Sequence, residues 1–250
     1  MKIKVLGSVS PYCKGGANCP GYLIDTGEGK ILLDCGCGSS GNMSFPEDIR
    51  NLHIIISHYH KDHYTDLFAI LYASLCHSNL DESVSVDVYI PESHDSATVC
   101  DYEMIKNNRD GVFTLHTYNA NSKLTICGCD VYFIKTFHSV ANYSVSLNCA
   151  GHKLVYSGDM GYRDVDVYCE FCKNAELFIC ESSFLSTDTA KSAYHLDAKE
   201  AALIARKANV KKLLLTHTWP EREKDLYLQE ARSVFPTVSM AIENNVYILS

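Results

Sequence analysis

A chain of 250 residues that is 46% hydrophobic and 21% charged has enough apolar material for a sizeable core, as one large domain or two small ones. Its formal net charge is -8 and its basic residues are dispersed, with no run longer than Lys211–Lys212. That weighs against extended RNA or DNA as the principal ligand, since proteins that grip long nucleic acids usually show a basic stripe. No stretch approaches the roughly 18–20 consecutive apolar residues that span a bilayer, and the opening MKIKVLGSVS is too short and polar for a secretory leader, so the cytosol is the expected compartment.

Runs rich in Val, Ile, Tyr and Phe, broken at Gly, Asn and Asp, predict strands at IKVLGSV, GYLIDT, KILLDCG and LHIIISH. The last leads into SHYHKDHYTD, which crowds His58, His60, Asp62 and His63 into six positions. TDLFAILYASLCH has helical spacing, and VSVDVYI is a further strand. The segment Glu92–Tyr118 has little strand or core character at its start; it reads as a lid or dimer-contact element, or as an ordinary surface helix and loop.

Strands follow at LTICGCDVYFIKTF, NYSVSLNC, HKLVYSGD, AELFICES and KKLLLTHT, and VYILS closes the series. LDAKEAALIARKAN, with Asp197 near its start, and DLYLQEARSVF are helices. No internal repeat, low-complexity segment or long linker divides the chain, so residues 1–250 read as a single domain. Mixed strands with helices between them imply an α/β fold of two packed sheets covered outside by helices.

The twelve cysteines read as reduced, mostly buried thiols. The lone CxxC of Cys169 and Cys172 lacks the partner pair of a structural zinc site. The glycines of DCGCGSSGN fit neither G-x-G-x-x-G nor a P-loop and are expected in a turn beside the histidine motif. His53, His77, His94, His116 and His152 have no partner at ligand spacing and read as surface or packing residues. None of the sixteen tyrosines can be singled out as a base-stacking residue.

The chemistry concentrates at strand ends. IIISH delivers His58, YFIKTFH His138, LVYSGD Asp159 and KLLLTH His217. Strand ends in a layered sheet fold converge on one rim, where rigid backbone can hold metal ligands. Imidazole and carboxylate donors suit zinc, manganese or iron, and four donors packed as tightly as His58–His63 would divide between two adjacent ions.

HxHxDH after an apolar strand, then a lone His, an Asp in SGD and a His in LLLTH, resembles the metallo-β-lactamase fold hydrolases over nearly the whole chain. His195 before the helix of YHLDAKEAALIA, with FHSVANYSV and ICESSF, resembles the tRNase Z-related branch. The resemblance implies a four-layer αββα sandwich of two mixed sheets in one domain. It implies two divalent ions, zinc foremost and manganese as the other option, sharing a hydroxide nucleophile. His58, His60 and His138 would hold one ion and Asp62, His63 and His217 the other, with Asp159 bridging. His195 would be the catalytic proton donor beside Asp62, and Asp34 would orient a ligand histidine unless it merely forms a turn.

True tRNase Z enzymes carry a tRNA-gripping arm between the equivalents of His138 and Asp159. Here Asp159 follows His138 by only 21 residues, enough for two strands and a turn. The expectation is therefore a compact phosphodiesterase for 3′,5′-cyclic mononucleotides, like bacterial and phage anti-Pycsar enzymes, acting as a homodimer without membrane or long nucleic acid. A tRNA 3′-endonuclease, a lactonase or thioester hydrolase, and a metal-stabilised nucleotide-binding module are the rivals.

Overall fold

The computed structural model describes residues 1–78, 84–107 and 113–249. In chain order, β1 (Lys2–Gly7), β2 (Gly21–Asp25), β3 (Lys30–Cys35), β4 (Leu52–Ile55), β5 (Val86–Pro91) and β6 (Phe113–Tyr118) build one sheet. β7 (Lys123–Ile126), β8 (Cys129–Lys135), β9 (Tyr143–Cys149), β10 (His152–Tyr156), β11 (Leu177–Glu181), β12 (Lys212–Thr216) and β13 (Val238–Met240) build the other. β14 (Val246–Ile248) returns to pair with β1, so each sheet has seven strands among the described residues.

Connection length explains why both sheets are mixed. Short links join β2–β3 and β7–β8–β9–β10 as antiparallel neighbours, and β1 and β2 pair antiparallel across a longer loop, residues 8–20. Parallel pairs need a crossover of a dozen residues or more, usually helical. Helices α1 (Lys61–Tyr64) and α2 (Leu67–Ser78) cross between β4 and β5, and α3 (Val99–Asn107) between β5 and β6. α4 (Val165–Cys172), α5 (Ala198–Lys207) and α6 (Lys224–Arg232) do the same for β10 to β13. The two halves thus echo each other in topology although the sequence shows no repeat.

Three apolar layers hold the stack. Val5, Tyr22, Leu33, Val145, Leu154, Ile179 and Leu214 pack between the sheets. Leu6, Leu32, Ile54 and Ile56 pack outward on Ile70 and Ile105 of α2 and α3. Phe178, Leu213 and Leu215 pack outward on Ala201, Ile204 and Tyr227. The result is the αββα sandwich, with central strands buried on both faces and reading as continuous apolar runs.

Several local expectations need correction. LTICGCDVYFIKTF is two strands, turned at Cys127 and Gly128, both at positive φ (47° and 71°), the geometry of a two-residue hairpin. VDVYCEFC, assigned no element from the sequence, forms α4, and its Cys169 and Cys172 are buried free thiols packed toward α5, as expected of them. The expectation that every cysteine is reduced fails at Cys129 and Cys149. The antiparallel register sets them directly opposite, with Cα atoms 4.4 Å apart, and they are disulfide-bonded. Glu92–Tyr118 contributes α3 and the edge strand β6, with residues 108–112 outside the described residues. Among the described residues, no helix is long and apolar enough to cross a membrane.

Helix α5 begins with a reciprocal cap. The Asp197 carboxylate accepts from the Glu200 backbone N–H at 2.8 Å, and the Glu200 carboxylate accepts from the Asp197 N–H at 3.1 Å. Lys191 donates to Asp197 at 2.8 Å and also to Glu200. Asp197→Ala should cost about 0.5–2 kcal/mol of stability, read as a lower urea midpoint, with Asp197→Asn retaining most of it. An unchanged midpoint for the alanine variant would refute this role of the cap.

Candidate metal centre

The seven candidate ligands leave the ends of four strands and meet on one rim. β4 runs through Ile56 and Ser57 to His58, and the single turn of α1 folds His60, Asp62 and His63 back over the strand end. His138 follows β8, Asp159 follows β10 and His217 follows β12. His217 and Asp34 both adopt positive φ, 58° and 54°, in the sparsely populated left-handed region where Asp and His are enriched among non-glycine residues. Gly36 makes room for the turn, since a Cβ there would stand 1.8 Å from the Asp62 carbonyl oxygen. The DCGCG glycines therefore lie beside the histidine motif.

Donor atoms of His58, His60, His138 and Asp159 lie within 4.8 Å of one another, as do those of Asp62, His63 and His217. Asp159 joins the two sets with one oxygen each. Its Oδ2 is 3.7 Å from both His58 Nε2 and His138 Nε2, and its Oδ1 is 3.4 Å from His63 Nε2 and 3.2 Å from His217 Nε2. Within the sets, His60 Nδ1 faces His138 Nε2 at 3.1 Å and His63 Nε2 faces His217 Nε2 at 3.2 Å.

A buried polar atom without a partner is costly, and this site holds two. His58 Nε2 and Asp159 Oδ1 are buried and make no contact of hydrogen-bond geometry. Both point into the ligand sets, and a cation in each set would satisfy them. The donor chemistry agrees, because burial, reinforced by neighbouring imidazoles, pushes His58 well below the usual histidine range and His60 down to about 4. Burial likewise lowers His138, so all three offer neutral lone pairs. Burial works against charge on Asp159 and Asp62, but His63 and His217 hold both carboxyls below the ordinary range. His63, despite its burial, is pushed up by Asp159, Asp62 and Asp34.

A second set of contacts orients the donors. Asp34 Oδ2 accepts from His63 Nδ1 at 2.7 Å, so His63 turns Nε2 inward. His138 Nδ1 donates to the Tyr194 carbonyl at 3.1 Å, Ser57 Oγ meets His58 Nδ1 at 3.0 Å, and Ser183 Oγ meets His217 Nδ1 at 2.9 Å. Ser10 Oγ donates to Asp62 Oδ2 at 2.8 Å.

His195 stands beside the second set, its ring stacked on His217 with centroids 5.5 Å apart and its Nδ1 3.9 Å from Asp159 Oδ2. Burial disfavours its charge, but the Glu181 carboxylate, 2.9 Å from Nδ1, raises its pKa to about 9. Glu181 is fully buried and also accepts from Met160 N and from Ser183 N and Oγ. Sequence reasoning missed Glu181, Ser183, Ser57 and Ser10. Glu181 ends an apolar strand, ICE, so the strand-end rule that selected His58 and His217 applies to it equally.

The other histidines lie apart from this cluster. His53 and His116 approach Asp87 at 3.7 and 2.7 Å, His152 pairs with Glu176 at 2.9 Å, and His94 stacks on Tyr102.

Comparison with known proteins agrees with the fold. A beta-lactamase superfamily domain family matches residues 29–218. The probable metallo-hydrolase YhfI of Bacillus subtilis (strain 168) is 29% identical over 239 residues, 94% of each chain. Its crystal structure superposes with a TM-score of 0.87 at 26% identity over 99% of both chains. A Ribonuclease Z of Archaeoglobus fulgidus is 27% identical over 294 aligned positions, covering 96% of this chain and 95% of its own. Human tRNase Z, short form, shares the fold alone, with a TM-score of 0.74 at 20% identity over the full length of both chains.

Because Asp159 serves both donor sets, Asp159→Ala should strip bound metal from the whole centre. Elemental analysis of the purified variant should find little metal left; retention of the wild-type content would contradict the shared carboxylate.

Proposed function

The chain belongs to the beta-lactamase superfamily and is a metallo-hydrolase, and on that premise we propose that it is a two-metal phosphodiesterase acting on 3′,5′-cyclic mononucleotides. The observation that carries the reading is the His195–Glu181 pair beside the shared Asp159. With Nδ1 bonded to Glu181 at 2.9 Å, Nε2 is the ring nitrogen left for substrate, and the buried carboxylate favours the protonated ring. An alkoxide leaving group needs such a proton donor, whereas a stabilised leaving group does not.

Divalent cations, when held by the two donor sets, would supply an activated water and offset charge building on the phosphoryl oxygens. His58, His60 and His138 hold neutral lone pairs toward one side of Asp159, and Asp62, His63 and His217 stand on the other. Water adds to phosphorus, the bond to the 3′-oxygen breaks, and His195 gives its proton to that oxygen, leaving a nucleoside 5′-monophosphate. Glu181 keeps the ring oriented and stabilises its charged form.

Substrate size follows from what surrounds the centre. Between His138 and Asp159 lie only β9 and β10, joined by a tight turn at Ala150 and Gly151, so no arm projects there. The alignment with the archaeal Ribonuclease Z is longer than this whole chain, so that relative carries segments without a counterpart here. The pocket over Asp62, Asp159, His195 and His217 measures about 150 Å³, below the roughly 300–1,000 Å³ typical of drug-sized ligands. A phosphoryl group and its sugar edge suit that space.

Metal-loaded protein should convert at least one of cAMP, cGMP, cCMP and cUMP to its 5′-monophosphate, and no turnover of any of the four would sink the proposal. His195→Ala should keep its metal yet lose roughly 10²–10⁴-fold in kcat. Loss of metal in that variant would instead make His195 a ligand.

A further inference from the structure

The inner pocket accounts for a phosphate and not for the base attached to it. One wall of its mouth is Trp219, the only tryptophan in the chain and 40% exposed. Trp219 also borders a second, outer groove of about 380 Å³, lined with Glu221, Arg222, Glu223 and Leu226. The ring therefore stands where the catalytic pocket opens onto the surface. Among the described residues no other ring stacks on it and no cation covers it.

The backbone beneath the ring is firmly placed. Thr218 bridges Val9, Ser10 N donates to the Thr218 carbonyl at 3.1 Å, and Trp219 N donates to Tyr227 Oη at 3.4 Å. Glu221 fastens the same loop to the N-terminal one, accepting from Tyr12 Oη and Lys14 Nζ at 2.9 Å each. A large aromatic side chain left uncovered on a tethered loop is preorganised for a flat partner. The groove's charges indicate what that partner is. Arg222 is occupied by a two-point contact with Asp188 at 2.5 and 3.1 Å, and Glu221 and Glu223 are acidic. No lining cation is left to hold a second phosphate, so a continuing polynucleotide finds no grip there. A neutral planar ring does.

We propose that Trp219 is the platform on which the base of a mononucleotide stacks while its phosphate sits over Asp159, making it a specificity residue for nucleotide over non-nucleotide phosphoesters. The inference rests on the phosphodiesterase reading above, and base stacking on an aromatic side chain is tolerant of base identity.

The single tryptophan allows a direct test. Metal-loaded protein is titrated with AMP, UMP and ribose 5-phosphate, following tryptophan emission and, by calorimetry, affinity. AMP and UMP should change the emission saturably, and ribose 5-phosphate should bind without changing it. Trp219→Ala should weaken AMP roughly 5- to 100-fold and leave ribose 5-phosphate within about twofold, while Trp219→Phe recovers most of the loss. If AMP binds with unchanged emission and equally well to Trp219→Ala, the platform is overturned and the phosphodiesterase reading survives. If neither AMP nor ribose 5-phosphate binds to protein that holds its metal, both fall. Emission that follows protein concentration instead of nucleotide would give the ring to a second copy of the chain and overturn the proposal.

Discussion

Four donors converge on one carboxylate that is wholly shielded from water, and the rest of the centre depends on that meeting. Asp34 accepts from Ser57 N, Ser57 Oγ, His63 Nδ1 and Tyr156 Oη, each at 2.7 Å, and is 0% exposed. An unpaired buried carboxylate would cost several kcal/mol, and these four bonds offset that cost. They draw on β3, the end of β4, α1 and β10, which means that one side chain joins both sheets to the histidine turn. The left-handed backbone at Asp34 aims the carboxylate at this junction. Removing it would release His63 and unlatch the sheets at the point where the centre is assembled.

The layered core explains why such a polar cluster survives inside an apolar fold. The strands that deliver His58, Asp159, Glu181 and His217 are buried on both faces, so their ends cannot drift toward solvent. Burial then sets the chemistry. It keeps His58, His60 and His138 neutral, and it strengthens the pairing of His195 with Glu181. The two buried atoms without partners, His58 Nε2 and Asp159 Oδ1, are the points where the protein's own hydrogen bonding stops and cations would complete it.

The parts of this arrangement that were legible in sequence are those set by local pattern. The HxHxDH spacing is contained in one turn, and the α/β sandwich follows from strands with helices between them. His138, Asp159 and His217 were found because a polar residue after an apolar strand lies at a sheet rim. Glu181 obeys the same rule but was passed over, since a lone glutamate at a strand end has many ordinary explanations. Ser57 and Ser183 carry no signal of their own, because their importance lies in which imidazole they touch. The Cys129–Cys149 bond depends on strand register, which no local spacing reveals. Helix α4 was missed because Val, Tyr and Phe dominate VDVYCEFC and imitate a strand. No tyrosine could be singled out for stacking from the sequence, and Tyr22, Tyr59, Tyr64, Tyr118, Tyr156 and Tyr227 are fully buried.

In this centre one carboxylate, Asp159, would be shared by two cation sites. Anomalous diffraction at the zinc absorption edge, from crystals of protein purified with zinc, tests it most directly. Two peaks should flank Asp159, one among His58, His60 and His138 and the other among Asp62, His63 and His217. A single peak, or two peaks of which only one contacts Asp159, would contradict it.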